Sequence, residues 1–288
     1  MRFMLGTHMV NWLWSDDPRL EGVTFFISRS RLALRSPNRR LPRALHDWCL
    51  DSSSFSMLQK HGRWIVTAEE YVAEVRRYRE QLGRMIWAAP RDLMCEPAVI
   101  YGGVMNGQRF VGTRELRGLA PGDPEQDLTT AVRIHQRMTV DDYLNLVRLA
   151  PEIPWIPVIQ GWSKADYEFC ADLYEAAGVD LKAAPVVGMG SVCRRQDTEE
   201  IRVIASTLAA RGYKIHGFGV AIGGLTRYGE QLASSDSMAW SFGARYESKL
   251  PGCTHRAKRC ANCMTYALRW RSRVLQWPAR AAELAQAA

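Results

Sequence analysis

The strongest constraint on this chain is an alternation. Short apolar runs recur along it, separated by stretches of helical patterning. The strand-like runs are "FMLGTH" (3–8), "VTFFIS" (23–28), "DWCLDS" (47–52), "MIWAAP" (85–90), "WIPVIQ" (155–160), "PVVGMGS" (185–191), "KIHGFGV" (214–220) and "SDSMAW" (235–240). Between them, "TAEEYVAEVRRYREQLG" (67–83), "SKADYEFCADLYEAAG" (163–178) and "TEEIRVIASTLAARG" (198–212) open on Ser or Thr and close on Gly. Those are the start and stop signals of helices. Strand–helix repetition implies parallel strands with helices outside them. About eight strands favour an α/β fold of the (β/α)8 TIM-like barrel kind, with a seven-stranded open sheet as the alternative.

Two segments break the alternation. Residues 98–126 are rich in Gly, Pro and charge and read as an insertion over one face. Residues 251–263, "PGCTHRAKRCANC", form a cysteine-dense knot before a final helix. The expected division is therefore a barrel over 1–250, interrupted by 98–126, and a zinc-binding segment with a terminal helix over 251–288.

Composition narrows the partners. With 47% hydrophobic and 24% charged residues the chain can bury a sizeable core. No run approaches the roughly 18 apolar residues of a membrane span, and the N-terminus lacks the apolar core of a secretory signal, so no membrane partner is expected. Seven cysteines are an odd number and argue against a disulfide framework, which fits a reducing cytoplasm. The formal charge of +8 favours a polyanionic partner, against the plainer reading of a solvated basic face. The excess is mostly arginine, as in "SRSRLALRSPNRRLPR" (28–43), and guanidinium groups suit phosphate.

In a barrel of this kind chemistry collects at the C-terminal ends of the strands. Those positions hold Asp51, Asp92, Gln160 with Gly161, Gly188 to Ser191, His216 to Gly219, and Asp236. An Asp after a strand is also an ordinary helix N-cap. Several polar groups at equivalent positions suggest one mouth. The metal candidates are Cys253, His255, Cys260 and Cys263, four ligands within eleven residues. A Cys3His set fills a tetrahedral zinc shell and leaves no place for water, so the ion would be structural. Cys49, Cys95, Cys170 and Cys193 read as packing residues.

Taken together, "LGTH" (5–8), "LDSSSF" (50–55), "APRDLMCEP" (89–97), "PVIQGW" (157–162), "VGMGSVCRR" (187–195), "HGFGV" (216–220), "SSDSMAWS" (234–241) and "CANCMTYALRWR" (260–271) resemble the tRNA-guanine transglycosylase superfamily. The closer likeness is to its DNA-directed branch, the DpdA-type enzymes that place 7-deazaguanines into DNA. The resemblance implies a zinc-braced barrel that exchanges guanine for a deazapurine through a covalent sugar–enzyme intermediate. Asp236 matches the family's nucleophile, and Asp51 the proton-transfer aspartate that opens its D-S-G-G-F motif. Asp92 and Gln160 match positions that read the purine edge. The base would be contacted further by Ser53, Ser54, Phe55, Gly161, Gly188, Met189, Gly190, His216 and Gly217. Here Ser53-Ser54 replaces the family's Gly-Gly, and His255 lies inside the cysteine cluster, where the tRNA enzymes use a more distant histidine.

The implied partners are DNA, a 7-deazaguanine base such as preQ0, and candidate partner modification proteins. The implied setting is a bacterial cytoplasm, or that of a phage-infected host. Arg194, Arg195 and Arg227 are candidate phosphate contacts. The target base must flip out of a duplex or be met on a single strand. Competing readings are a tRNA-directed exchanger, a nucleic-acid-binding barrel without catalysis, and a zinc hydrolase, which the four-ligand cluster does not suit.

Overall fold

The computed structural model describes residues 1–105, 107–113, 127–192, 195, 198–279, 281 and 282. Strands are β1 (Arg2–Thr7), β2 (Phe25–Ser28), β3 (Trp48–Asp51), β4 (Met85–Ala88), β5 (Gly103–Met105), β6 (Gln108–Phe110), β7 (Val158–Ile159), β8 (Val187–Met189), β9 (Ile215–Gly217) and β10 (Leu232–Ser237). The α-helices are α1 (Arg29–Leu32), α2 (Ser54–His61), α3 (Ala68–Leu82), α4 (Pro97–Tyr101), α5 (Leu128–Leu149), α6 (Lys164–Ala176), α7 (Glu199–Ala210), α8 (Ile222–Tyr228), α9 (Ala239–Gly243) and α10 (Met264–Leu275).

Eight strands form one curled parallel sheet in the order β4-β3-β2-β1-β10-β9-β8-β7. Its two edges approach each other. Ala88 pairs in parallel with Trp155; its N–H donates to the Pro154 carbonyl at 3.0 Å, and its own carbonyl accepts from Ile156 N–H at 3.1 Å. Strand β7 is short because Pro154 and Pro157 lie just ahead of it and bring no N–H to a ladder.

Period-two alternation sorts each strand into an outer and an inner face. Trp48 and Leu50 of β3, with Phe25 and Ile27 of β2, pack outward against Tyr71, Val75 and Tyr78 of α3. On the other side Val187 and Met189 of β8 and Ile215 of β9 meet Tyr167, Tyr174, Ile201 and Ile204 of α6 and α7. The inner face is closed by Met4, Phe26, Cys49, Trp87 and Val158, with Phe218 against them. Each large side chain buried this way contributes roughly 1.5–3 kcal/mol. The inner face is therefore a packed apolar floor, with a cavity at the C-terminal ends of the strands.

Local sequence sets the helix starts. Thr67 and Ser163 form reciprocal capping boxes with Glu70 and Asp166, which fix where α3 and α6 begin. Such caps contribute about 1 kcal/mol each.

One expectation changes. The run 235–240 is not all strand: β10 starts at Leu232, and the chain turns into α9 after Met238. The described part of 98–126 is ordered as the end of α4 and an antiparallel hairpin, with Gly103 facing Phe110 and Met105 facing Gln108. Residues 114–126 lie outside the described residues, as do Cys193 and Arg194. Among the described residues no helix is long and apolar enough to cross a membrane.

Candidate active site at the mouth of the sheet

The alternation that sends Trp48 and Leu50 outward sends Cys49 and Asp51 inward. By the same rule Val158 and Gln160, Gly188 and Gly190, and Ser234 and Asp236 share the inner face. The parallel register sets Asp51 beside Ser28 and Asp236 beside Met4. These side chains converge on a cavity of about 640 Å³ lined by Asp51, Ser54, Phe55, Asp92, Gln160, Gly190 and Asp236. A cavity of that size takes a flat bicyclic base with room to spare.

Asp92 accepts three side-chain hydrogen bonds. Its Oδ1 accepts from Ser54 Oγ at 2.5 Å and Ser52 Oγ at 3.3 Å, while Oδ2 accepts from Gln160 Nε2. The Gln160 carbonyl oxygen faces the Ser191 hydroxyl at 2.7 Å, which fixes the amide's orientation. Ser191 sits at φ +53°, a left-handed conformation that aims its hydroxyl inward at a cost of about 1 kcal/mol. Burial raises the Asp92 carboxyl above its ordinary range, opposed by Ser54, Gln160 and Ser52.

Asp51 is held differently. Burial pushes its carboxyl up to about 6, opposed by the Ser28 hydroxyl and the Ser53 N–H and reinforced by the charges of Asp236 and Asp92. A carboxyl with that value exchanges a proton readily near neutrality. Asp236 Oδ1 accepts from Gly219 N–H at 3.0 Å and lies 3.3 Å from His216 Nε2. The other ring nitrogen of His216 meets Ser234 Oγ at 2.8 Å. Rings of Phe26, Trp87 and Phe218 enclose His216. It supports Asp236 from below and does not line the cavity.

Several expected base contacts are placed elsewhere. Ser53 adopts φ +71°, and its hydroxyl bonds Ser28 Oγ at 2.5 Å and the Ser30 N–H at 2.9 Å, away from the cavity. Met189 faces the helices because Gly188 and Gly190 take the inner face. Gly161, Gly188 and Gly217 serve close packing: a Cβ would lie 2.9 Å from Tyr167, 2.5 Å from the Phe218 ring and 2.8 Å from Val220, respectively. Gly190 alone of these lines the cavity, where a Cβ would lie 2.3 Å from the Gln160 amide. The serine pair thus has a physical account. Ser53 takes the left-handed turn that glycine would, and Ser54 turns its hydroxyl onto Asp92.

Arg195 is committed to structure. It stacks over Trp162, 4.1 Å from the ring centre, and donates to the carbonyls of Trp162 (2.6 Å) and Ser191 (3.2 Å). Arg227 is exposed on the last turn of α8, at the end that runs away from the mouth. Sequence reasoning missed Met94, Gln108, Met238 and Phe242 as cavity walls. Gln108 belongs to the hairpin inside the insertion, and only the placement of that hairpin brings it in.

The four ligand atoms of Cys253, His255, Cys260 and Cys263 lie within 4.8 Å of one another. Cys253 Sγ is 3.6 Å from Cys263 Sγ and 3.9 Å from Cys260 Sγ, and His255 Nε2 is 3.4 Å from Cys260 Sγ. Bonds of about 2.3 Å to sulfur and 2.0 Å to nitrogen at tetrahedral angles separate ligands by roughly 3.5–3.8 Å, so the residues fit zinc. The cluster is tied to the mouth of the sheet: His8 Nε2 meets Asn262 Oδ1 at 2.6 Å, and Ser241 Oγ donates to the Ala261 carbonyl at 2.8 Å.

Among curated proteins none matches the chain. The model of one family, described as DpdA, DeoxyPurine in DNA protein A, matches residues 1–111 and 123–285.

Proposed function

The chain belongs to the DpdA family, and with it to the modification of DNA by 7-deazaguanines; we propose that it is a transglycosylase exchanging guanine in DNA for a preQ0-like base. The observation that carries this is the pairing of Asp236 and Asp51 in one cavity, the second with its carboxyl raised to about 6. Retention at C1′ needs two displacements, hence one nucleophile and one proton carrier.

In this reading the Asp236 carboxylate attacks C1′ of the flipped nucleotide. The C1′–N9 bond breaks as the Asp51 carboxyl gives its proton to the departing guanine. The incoming deazaguanine then loses its N9 proton to Asp51, and its N9 displaces the Asp236 carboxylate from C1′. Proton and electron pairs balance without a redox partner. Gly219 N–H and His216 hold Asp236 at the angle of attack. Asp92 accepts from the N–H groups of the guanine edge, and Gln160 and Ser54 hold Asp92 in place. Phe55 and Met238 offer apolar walls for the ring.

The sheet is read here as a closed (β/α)8 barrel over 1–250, which the Ala88–Trp155 bridge supports. Residues 251–288 are read as a zinc-braced segment packed on it. Zinc, once bound, supplies rigidity, and Cys253, His255, Cys260 and Cys263 would hold it.

The test is release of labelled guanine from DNA, with and without preQ0. Release dependent on preQ0 and lost in Asp236→Ala and Asp51→Asn is expected. Release from tRNA and not from DNA would overturn the substrate, and silence on both with nucleic-acid binding intact would overturn catalysis.

A further inference from the structure

The helix after the Asp236 strand carries large apolar side chains that the fold leaves open. Met238 and Phe242 line the cavity, yet Phe242 is 61% exposed and Tyr246, one turn on, is 74% exposed. The rings of Phe242 and Tyr246 sit 5.2 Å apart at 60°. The row therefore runs from inside the cavity outward over its rim.

The chain beside this row is cationic. Residues 245–259 hold Arg245, Lys249, Arg256, Lys258 and Arg259 against a single acid, Glu247. That acid accepts a hydrogen bond from the Tyr266 hydroxyl. Arg259 donates to the Glu247 carbonyl at 2.8 Å and Lys249 to the His255 carbonyl at 2.6 Å, which lays the two halves of the segment side by side. Arg245, exposed and lying between Phe242 and Tyr246 in the chain, forms no ion pair among the described residues.

We propose that Phe242, Tyr246 and the adjoining cationic segment form a platform for single-stranded DNA, on which bases flanking the target nucleotide stack. Bases stack on aromatic rings whatever their sequence, and cations in the adjoining chain can meet the phosphates of the same strand. A second copy of this chain is the poorer occupant, because it would bring a further +8 of like charge to a face already rich in Lys and Arg. The platform continues the cavity wall and rests on the proposed base exchange only for what enters the cavity.

The experiment is fluorescence anisotropy of a short labelled single-stranded oligonucleotide with the full chain, over a range of salt. Phe242→Ala/Tyr246→Ala is expected to weaken binding roughly 10- to 100-fold with little change in salt slope. Arg245→Glu/Lys258→Glu is expected to flatten the slope instead. All four positions are exposed, so melting temperatures should stay at the wild-type value. Binding within twofold of wild type for the ring variant would overturn the platform. So would a wild-type dimer that the ring variant converts to monomer without loss of DNA affinity. Guanine release separates the two ideas. Ring-dependent binding by a chain that never exchanges base keeps the platform and sinks the exchange. Exchange with an unchanged KM for DNA in the ring variant does the reverse.

Discussion

The side-chain amide of Gln160, just beyond β7, donates its N–H to Asp92, in the loop after β4, so the two edges of the sheet, bridged by backbone at Ala88 and Trp155, are also joined by side chains at the cavity. The same amide accepts from Ser191 at 2.7 Å. Gln160→Glu replaces that donor with a second carboxylate, and two buried acids at contact cannot both ionise. The expected result is a KM for the incoming base raised tenfold or more, with kcat less affected. Steady-state kinetics at pH 7 and at pH 5.5 check it, since protonation at the lower value should restore part of the affinity.

Asp51→Asn should separate stability from activity. The folded-state carboxyl titrates at about 6, above its ordinary 3.8, so the native state binds the proton more tightly than the unfolded chain. Stability therefore falls as pH rises from about 4 to 6, and at pH 7 the ionised Asp51 costs about 3 kcal/mol. The asparagine protein should melt higher than wild type at pH 7, lose that advantage near pH 4, and show no guanine release. Thermal melts across pH 4–8 read the first two outcomes.

For the wild type, the proton carried by Asp51 makes guanine departure fall as pH climbs above about 6. Single-turnover release of labelled guanine should decline above that value, whereas Asp51→Asn should show no release at any pH.

Gly190→Ala tests the fit of the cavity wall. The added methyl would sit 2.3 Å from Gln160 Nε2 and 2.6 Å from Oε1, so the amide must swing off Asp92 and Ser191. Overpacking of this kind costs about 1–3 kcal/mol. A melting temperature lowered by several degrees, together with a tenfold or larger rise in KM for the base, is expected.

Removing the metal ligands should loosen the C-terminal segment. Cys260 is 1% exposed and packs with Trp240, Tyr266 and Ala267. Cys260→Ser is expected to bind less than one zinc per chain and to melt about 10 °C or more below wild type. Elemental analysis and calorimetry give the two numbers, and a strong chelator should bring wild type to the same melting temperature.

Much of the cavity was legible because polar residues at strand ends have little else to do in so regular an alternation. Asp51, Asp92, Gln160 and Asp236 all emerged that way. The cysteine cluster was legible because its ligands lie within one short loop. What escaped was conformation within the loops. No rule of composition says that Ser53 turns left-handed and Ser54 does not, yet that turn sends one hydroxyl to Ser28 and the other to Asp92. Met189 was open to correction from sequence alone, since flanking glycines on the inner face force it outward. Phe242 was hidden because the run 235–240 was read as strand throughout, whereas the chain coils into a helix after Met238.

Strand β1 lies between β2 and β10, so during synthesis one edge of β1 waits for residues 232–237. Until some 230 residues later, that edge keeps its backbone N–H and C=O groups unpaired and "FML" uncovered. A nascent chain in that condition is a template for wrong pairing. Stalled or truncated translation products of this gene should therefore fall to chaperones and proteases long before any of them could touch a nucleotide.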